Sequence, residues 1–323
     1  MAIETLEFEE PIAILLKEID ALNQLPRTDA RERQIDALQR KIRAAREALY
    51  ASLTPWQRVL VARHPERPCL DDFIKLLFAD FVEIHGDRRF ADDPAIMTGF
   101  ALYKEQPVLV VGHVKGRDTK EKIYRNFGYA RPEGYRKALR AMRLAEKFRR
   151  PILVFVDTPA AFPGIESEER GVAEAIAVNL REMMLLDTPI IVVVSGEGGS
   201  GGALGIAVGD RVLMQEFAIY SVIPPEGCAA ILWRDASKKI EAADALKLTA
   251  PDLLAAGIID EIVPEPVGGA QTDPETAARL VDGVLDRVLR ETCALDSETR
   301  LQARYDKFRQ IGRVGVDFVD EGS

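Results

Sequence analysis

Apolar residues in the first fifty positions recur at helical spacing. Ile12, Leu15, Ile19 and Leu22 are three, four and three residues apart, and beyond Pro26 the pattern resumes through Ile35, Leu38, Ile42, Ala45 and Leu49. This predicts two amphipathic helices with a heptad-like seam, folded as a hairpin. The seam is too short for an autonomous coiled coil, so it is expected to pack on the body of the protein or on another subunit. Thr54-Pro55-Trp56 has the chemistry of a helix start, with Thr54 as cap and Pro55 in the first turn. His64-Pro65-Glu66-Arg67-Pro68 breaks the chain, and a helix is expected over 70–83.

The period then shortens. Residues 96–102 and 108–113 read as two strands joined by a short turn, and 115–131 as a long basic loop. Pro132-Glu133 opens a helix with Tyr135, Ala138, Leu139, Met142 and Ala145 on one face and Arg136, Arg140, Arg143 and Lys147 on the other. A buried strand over 151–156 ends in Asp157-Thr158-Pro159 and a loop through Pro163-Gly164. A helix over 167–186 should bury Val172, Ile176, Leu180 and Met183. Ile190 to Val194 is an unbroken β-branched run, the mark of a strand covered on both faces. Strand–helix–strand units in succession imply a right-handed, largely parallel α/β arrangement. Further strands are expected at 212–214 and 218–223, and Pro225-Glu226-Gly227 leads into a short helix ending near Trp233. Residues 249–263 read as helix, Gly257 stop and strand, and helices over 274–289 and 298–308 finish the chain. The division expected is an N-terminal hairpin (1–53), a core (54–266) and C-terminal helices (267–323).

The stretch after the β-branched run carries the chemistry. Gly196, Gly198, Gly199, Gly201, Gly202, Gly205 and Gly209 are seven glycines in fourteen positions, followed by an apolar segment at 203–208 that reads as a short helix. A strand, a glycine turn and a helix start expose main-chain N–H groups at a positive dipole end, which suits negative charge. Three motifs match literally. Gly196-x-Gly198-x-x-Gly201 fits a dinucleotide fingerprint, with Glu216 near the ribose-binding position, but the following helix is too short for a parallel crossover. Gly198-x-Ser200-x-Gly202 fits a nucleophile elbow, yet His64, His85 and His113 all precede it, which excludes an α/β-hydrolase. A P-loop needs Lys-Ser/Thr where Gly202-Ala203 stands. A glycine turn needed only for tight packing stays open beside the reading favoured here, a main-chain oxyanion hole at Gly201 and Gly202.

Composition narrows the class. The chain has 323 residues, 47% hydrophobic and 29% charged, as in a soluble globular protein. Its acidic start, MAIETLEFEE, is unlike a secretory or transit peptide. Cys69, Cys228 and Cys293 are scattered, with no CxxC, so a reducing, cytoplasmic setting and no cysteine-based zinc site are expected. Net charge is −9, but residues 115–150 hold thirteen Lys/Arg against four Asp/Glu, a local +9 that leaves −18 on the rest. That island predicts a polyanionic partner, a phosphorylated cofactor or nucleic acid, unless it is a solvated helix face.

Taken in order, GHVKGRDTKEKIYRNFG (Gly112–Gly128), PEGYRKALR (Pro132–Arg140), EERG (Glu168–Gly171), GEGGSGGAL (Gly196–Leu204), YSVIPPEGCAAILW (Tyr220–Trp233), ARHPERP (Ala62–Pro68) and the LLAAGIIDEIV ending carry a resemblance. The chain resembles the crotonase superfamily and, within it, the carboxyltransferase α-subunit family of bacterial-type acetyl-CoA carboxylase, from about residue 5 to residue 310. Two departures stand out: the loop reads DTPAAFPG where the family has DTPGAYPG, and Pro224 stands where serine is frequent. The resemblance implies a crotonase-like (ClpP/crotonase) fold of strand–strand–helix units with helical extensions at both ends. It implies carboxyl transfer from carboxybiotin to acetyl-CoA, giving malonyl-CoA, the first committed step of fatty acid biosynthesis. Biotin would ride on a biotin carboxyl carrier protein and not on this chain, and a biotin carboxylase would consume the ATP. A zinc-ribbon β chain would complete an α2β2 enzyme, with no metal here. By analogy the Gly201/Gly202 hole takes the carboxybiotin oxygen, Gly198 and Gly199 flank it, Phe162 replaces a ligand-facing tyrosine, and Lys115, Arg117 and Arg125 are candidates for coenzyme A phosphates. A carboxyltransferase for another acyl-CoA, or a nucleic-acid-binding regulator using 115–150, are the alternatives.

Overall fold

The computed structural model describes residues 5–312. The outermost residues of the expected terminal segments, 1–4 and 313–323, lie outside the described residues. One mixed sheet organises the chain: β1 (Ala79–Glu83), β2 (Ile96–Tyr103), β3 (Gln106–His113), β4 (Ile152–Thr158), β5 (Ile190–Gly199), β6 (Arg211–Gln215), β7 (Ile219–Ser221) and β8 (Glu261–Val263). Its order is β1-β2-β3-β4-β5-β6-β8, with β7 paired to the far end of β5. The first three strands are antiparallel and the rest parallel. The fold is α/β, as expected. The β2–β3 turn is two residues long, Lys104 and Glu105, both with positive φ (46° and 68°), which matches the twist of a hairpin.

Alternation along the strands sorts side chains to two cores. Leu109 and Val111, Ile152, Val154 and Val156, and Ile190, Val192 and Val194 face one side, with Tyr135, Met142 and Met183 from the helices Pro132–Lys147 and Val172–Leu185. Val108 and Val110, Leu153 and Phe155, and Ile191 and Val193 face the other. There they meet Phe73 of the Leu70–Leu77 helix and Val281, Leu285 and Leu289 of the Pro274–Cys293 helix. The central strands are fully buried, so their β-branched runs are what the sheet requires. The hairpin is present as Glu10–Asn23 and Asp29–Tyr50. It is anchored by Tyr50, which donates to Glu9 (2.8 Å) and packs edge-on against Phe217 (5.3 Å between ring centroids). Thr54 caps the Pro55–Ala62 helix in a capping box with Gln57.

Several boundaries differ from expectation. The helix expected over 70–83 stops at Leu77, and β1 follows. Phe78 and Phe81 prolong the helical apolar spacing, but Asp80 turns to φ 51° at an irregularity in the pairing and β2 claims the backbone. The basic loop contains a helix, Thr119–Tyr124, capped by Asp118. The helix expected over 167–186 is two, Ile165–Glu169 and Val172–Leu185, broken at Gly171 (φ 74°). The apolar segment expected as a helix at 203–208 is displaced: the helix is Ser200–Leu204, because β5 continues through Gly199 and the turn comes later. The strand expected at 218–223 is the shorter β7.

Candidate active site

Parallel α/β sheets place ligands beyond the carboxyl ends of their strands. Here those ends are Asp157-Thr158 of β4, Gly196–Gly199 of β5 and the segment from His113 to Lys115 after β3. β5 runs through its first three glycines because each lies against something a Cβ would strike. A Cβ on Gly196 would meet the Asp157 carboxylate at 2.4 Å, on Gly198 the Tyr220 ring at 2.7 Å, and on Gly199 the Pro159 carbonyl oxygen at 1.8 Å. Ser200 then turns with φ 52°, a left-handed conformation costly for a side-chain-bearing residue. It starts a five-residue helix whose first N–H groups have no intrahelical acceptor.

The two predicted hole residues face opposite ways. Gly202 is buried against the 158–161 loop, where its Cβ would sit 2.3 Å from the Ala160 carbonyl carbon. Gly201 is half-exposed, has room for a Cβ, and lines an apolar cavity of about 590 Å³ with Ser200, Leu204, Tyr220, Val222 and Leu246. Tight packing therefore accounts for Gly196, Gly198, Gly199 and Gly202, and leaves Gly201 without a steric reason.

A second cleft, about 580 Å³, is lined by Arg63, Lys115, Lys122, Phe127, Tyr129, Pro159, Glu197, Pro224 and Glu226. Its floor is an ion network. Lys115 Nζ contacts Asp157 Oδ1 (2.7 Å) and Glu197 Oε2 (3.2 Å), and the Arg63 guanidinium bridges Glu197 Oε1 (2.8 Å) and Glu226 Oε1 (2.7 Å). The Glu197 N–H donates to Asp157 Oδ1 (2.9 Å). Burial alone would lower the Lys115 pKa, but Asp157 and Glu197 outweigh it and the net shift is upward. Burial would likewise raise Glu197, and Lys115 and Arg63 hold it below the usual carboxylate range. Lys115, Arg63 and Glu197 are thus held in their charged forms. Arg63, Lys115 and Lys122 are balanced by Asp157, Glu197 and Glu226, so the cleft is close to electroneutral.

The other sequence candidates do not line this cleft. Arg117 pairs with Asp72. Arg125 donates to Glu121 (3.1 Å) and to the Pro94 carbonyl (3.1 Å). Phe162 is half-buried under the Arg131 guanidinium, 5.0 Å from its ring. The basic island is not one free face: Lys137 is fully buried on Asp92 (2.5 Å), Arg143 pairs with Glu182 and Arg136 with Glu174. Among the described residues, no group of three or more His, Cys, Asp or Glu side chains could hold a metal ion, and no helix is long and apolar enough to cross a membrane. Sequence reasoning missed Arg63, Asp157 and Glu197 as a site. The available signal was Glu197 itself, an acid inside a strand buried on both faces, which requires a cation.

This architecture recurs in solved carboxyl-handling enzymes. The Pseudomonas malonate decarboxylase hetero-tetramer in complex with coenzyme A superposes with a TM-score of 0.55 at 18% identity, covering 67% of this chain and 86% of that one. Transcarboxylase 12S, with methylmalonyl-coenzyme A and methylmalonic acid bound, gives 0.52 at 20% identity over 67% of this chain and 41% of that one. The fold is thus the crotonase-like fold of carboxyltransferases. The family model described as acetyl co-enzyme A carboxylase carboxyltransferase-like matches residues 5–312. The acetyl-coenzyme A carboxylase carboxyl transferase subunit alpha of Geobacter metallireducens is 57% identical over 309 residues, 95% of this chain and 97% of that one. The chain belongs to the acetyl-CoA carboxylase carboxyltransferase α-subunit family.

Proposed function

We propose that this chain is the α half of a carboxyltransferase that moves a carboxyl group from carboxybiotin on a separate carrier protein to acetyl-CoA, forming malonyl-CoA. The observation that carries the reading is the β5–Ser200 turn, a helix start with a half-exposed Gly201 at the carboxyl ends of the parallel strands. Carboxybiotin, when bound, supplies an activated carboxyl group on a neutral cyclic urea. The adjoining cleft suits such a ring: its walls are Phe127, Tyr129, Pro159 and Pro224, and its floor offers balanced donors and acceptors and no net charge. The N–H groups at Gly201 and Gly202 act as donors to oxygen that gains charge during transfer, with Gly198 and Gly199 holding the strand against Tyr220 and Pro159. Arg63 and Lys115, locked by Glu197, fix polar groups at the cleft floor.

Coenzyme A phosphates fall to the rim, where Arg117 can exchange its part-exposed partner Asp72 at little cost. Arg125 must also release the Pro94 carbonyl, and Lys115 two carboxylates. A second oxyanion arises on the acetyl thioester, and a β chain of similar fold is assigned that hole, along with the zinc ribbon; carrier protein and biotin carboxylase complete the system in the cytoplasm. The test is a single-turnover assay of the co-expressed α and β chains with carboxybiotin and a series of acyl-CoAs. Malonyl-CoA as the dominant product supports the assignment. Preferential carboxylation of a longer acyl-CoA would replace acetyl-CoA as the substrate.

A further inference from the structure

A five-residue helix cannot hold its own geometry, since nucleation is unfavourable and few intrahelical bonds form. Something else must fix the Ser200–Leu204 turn. The Asn179 side chain, 1% exposed on the Val172–Leu185 helix, donates through Nδ2 to the Tyr135 carbonyl (2.9 Å) and to the Gly205 carbonyl (2.9 Å). Gly205 in turn donates its N–H to the Gly201 carbonyl (2.9 Å). That carbonyl shares a peptide plane with the Gly202 N–H. The fully buried Tyr135 closes the arrangement: its ring lies where a Gly205 Cβ would fall (2.7 Å), and its hydroxyl donates to the Gly202 carbonyl (3.3 Å).

We propose that Asn179, seconded by Tyr135, is a positioning residue that sets the 201–202 peptide plane through Gly205, so that the Gly202 N–H is aimed for transfer. This rests on the hole assignment above. Neither side chain faces the charged cleft, so each acts on orientation and not on substrate affinity. A misplacement of about 1 Å at a reacting centre costs on the order of 10²-fold in rate, so Asn179→Ala should lower kcat about 10- to 100-fold with KM for acetyl-CoA changed by no more than about twofold.

The experiment compares Asn179→Ala, Tyr135→Phe and Tyr103→Phe in the α–β complex. Tyr103 is an equally buried hydroxyl, bonded to Asp282 (2.6 Å) in the other core, and controls for the loss of a buried hydrogen bond. Hydrogen–deuterium exchange over residues 200–205 is read alongside steady-state kinetics. The expected result is faster exchange with a kcat loss in Asn179→Ala, a smaller loss in Tyr135→Phe, and near-normal turnover in Tyr103→Phe. If Asn179→Ala fails to assemble, the isosteric Tyr135→Phe decides, by the same two readouts. Faster exchange with unaltered turnover overturns the proposal, as does an equal loss in Tyr103→Phe. Gly201→Val, whose side chain enters the adjoining cavity, separates the layers. Unaltered turnover in Gly201→Val removes the hole assignment itself, whereas a loss there with none in Asn179→Ala removes only the positioning role.

Discussion

Adding one methyl group at two neighbouring glycines should have opposite consequences. At Gly202 the new Cβ would lie 2.3 Å from the Ala160 carbonyl carbon and 2.4 Å from the Ala161 nitrogen, both backbone atoms. Carbon contacts relax near ~3.5–4.0 Å, so the 158–161 loop must retreat by more than ~1 Å. That loop is tied by the Thr158 hydroxyl, which lies 2.7 Å from the Gly128 carbonyl and 2.9 Å from that of Ala160. Overpacking of this kind costs ~1–3 kcal/mol, only partly offset by the ~1 kcal/mol advantage of alanine over glycine in a helix. Because Pro159 belongs to the cleft wall, the retreat should also cost on the order of 10²-fold in kcat. At Gly201 the nearest atom to a new Cβ is Ile176 Cδ1 at 3.7 Å, an ordinary contact. Gly201→Ala should therefore melt at or above the parent temperature, and any loss of turnover reports ligand approach directly. The assays are thermal melting of each variant and steady-state malonyl-CoA formation by the α–β complex. Equal melting temperatures for the two variants, or a Gly202→Ala protein as stable as the parent, would refute the packing argument.

Other outcomes follow from the charges. His113 is fully buried beside Lys115, and burial first, then that ammonium, pushes its pKa down to about 3, so it stays neutral in the fold while the unfolded chain takes up a proton near 6.5. Stability from this group is therefore lost as pH falls through that window, by about 2 kcal/mol between pH 7 and 5, and urea melts of His113→Phe should lack that component. Asp93 runs the other way: burial raises it to about 6, so its ionisation in the fold opposes stability as pH rises from about 4 to 6. Glu265→Leu strands Arg67, which it grips at 2.6 and 2.9 Å in a fully buried pair, and should cost ~3–5 kcal/mol in a denaturant titration, with Arg67→Met/Glu265→Leu recovering part of it. Lys115→Met leaves Asp157 and Glu197 facing each other, so its stability deficit should be larger at pH 8 than at pH 5, and a pH-independent deficit would contradict the ion network.

Much of the frame was readable because burial on both faces leaves a plain mark. The runs in β3, β4 and β5 could only be central strands, and the Tyr135–Ala145 stripe could only be a helix against them. β1 was hidden since Phe78 and Phe81 continue the helical spacing of Phe73 and Ile74, and only pairing with β2 decides the matter. The break at Gly171 was one glycine in an otherwise continuous pattern. The glycine turn announced itself, but its purpose did not: contacts between Gly199 and Pro159 or Gly202 and Ala160 belong to the tertiary fold. The charged cleft was least legible. Arg63 and Glu197 are 134 positions apart, and nothing in spacing says that the basic island will be paired with acids as far away as Asp72, Asp92, Asp157, Glu182 and Glu197.

The most direct measurement is a subunit titration. The purified α chain is assayed for malonyl-CoA formation from carboxybiotin and acetyl-CoA, first alone and then with increasing β chain. Two stabilised oxyanions are needed and one strand–glycine–helix turn is present among the described residues, so the α chain alone should be silent, with activity rising linearly to a break at one β per α. Full turnover by the α chain before any β chain is added would contradict the account.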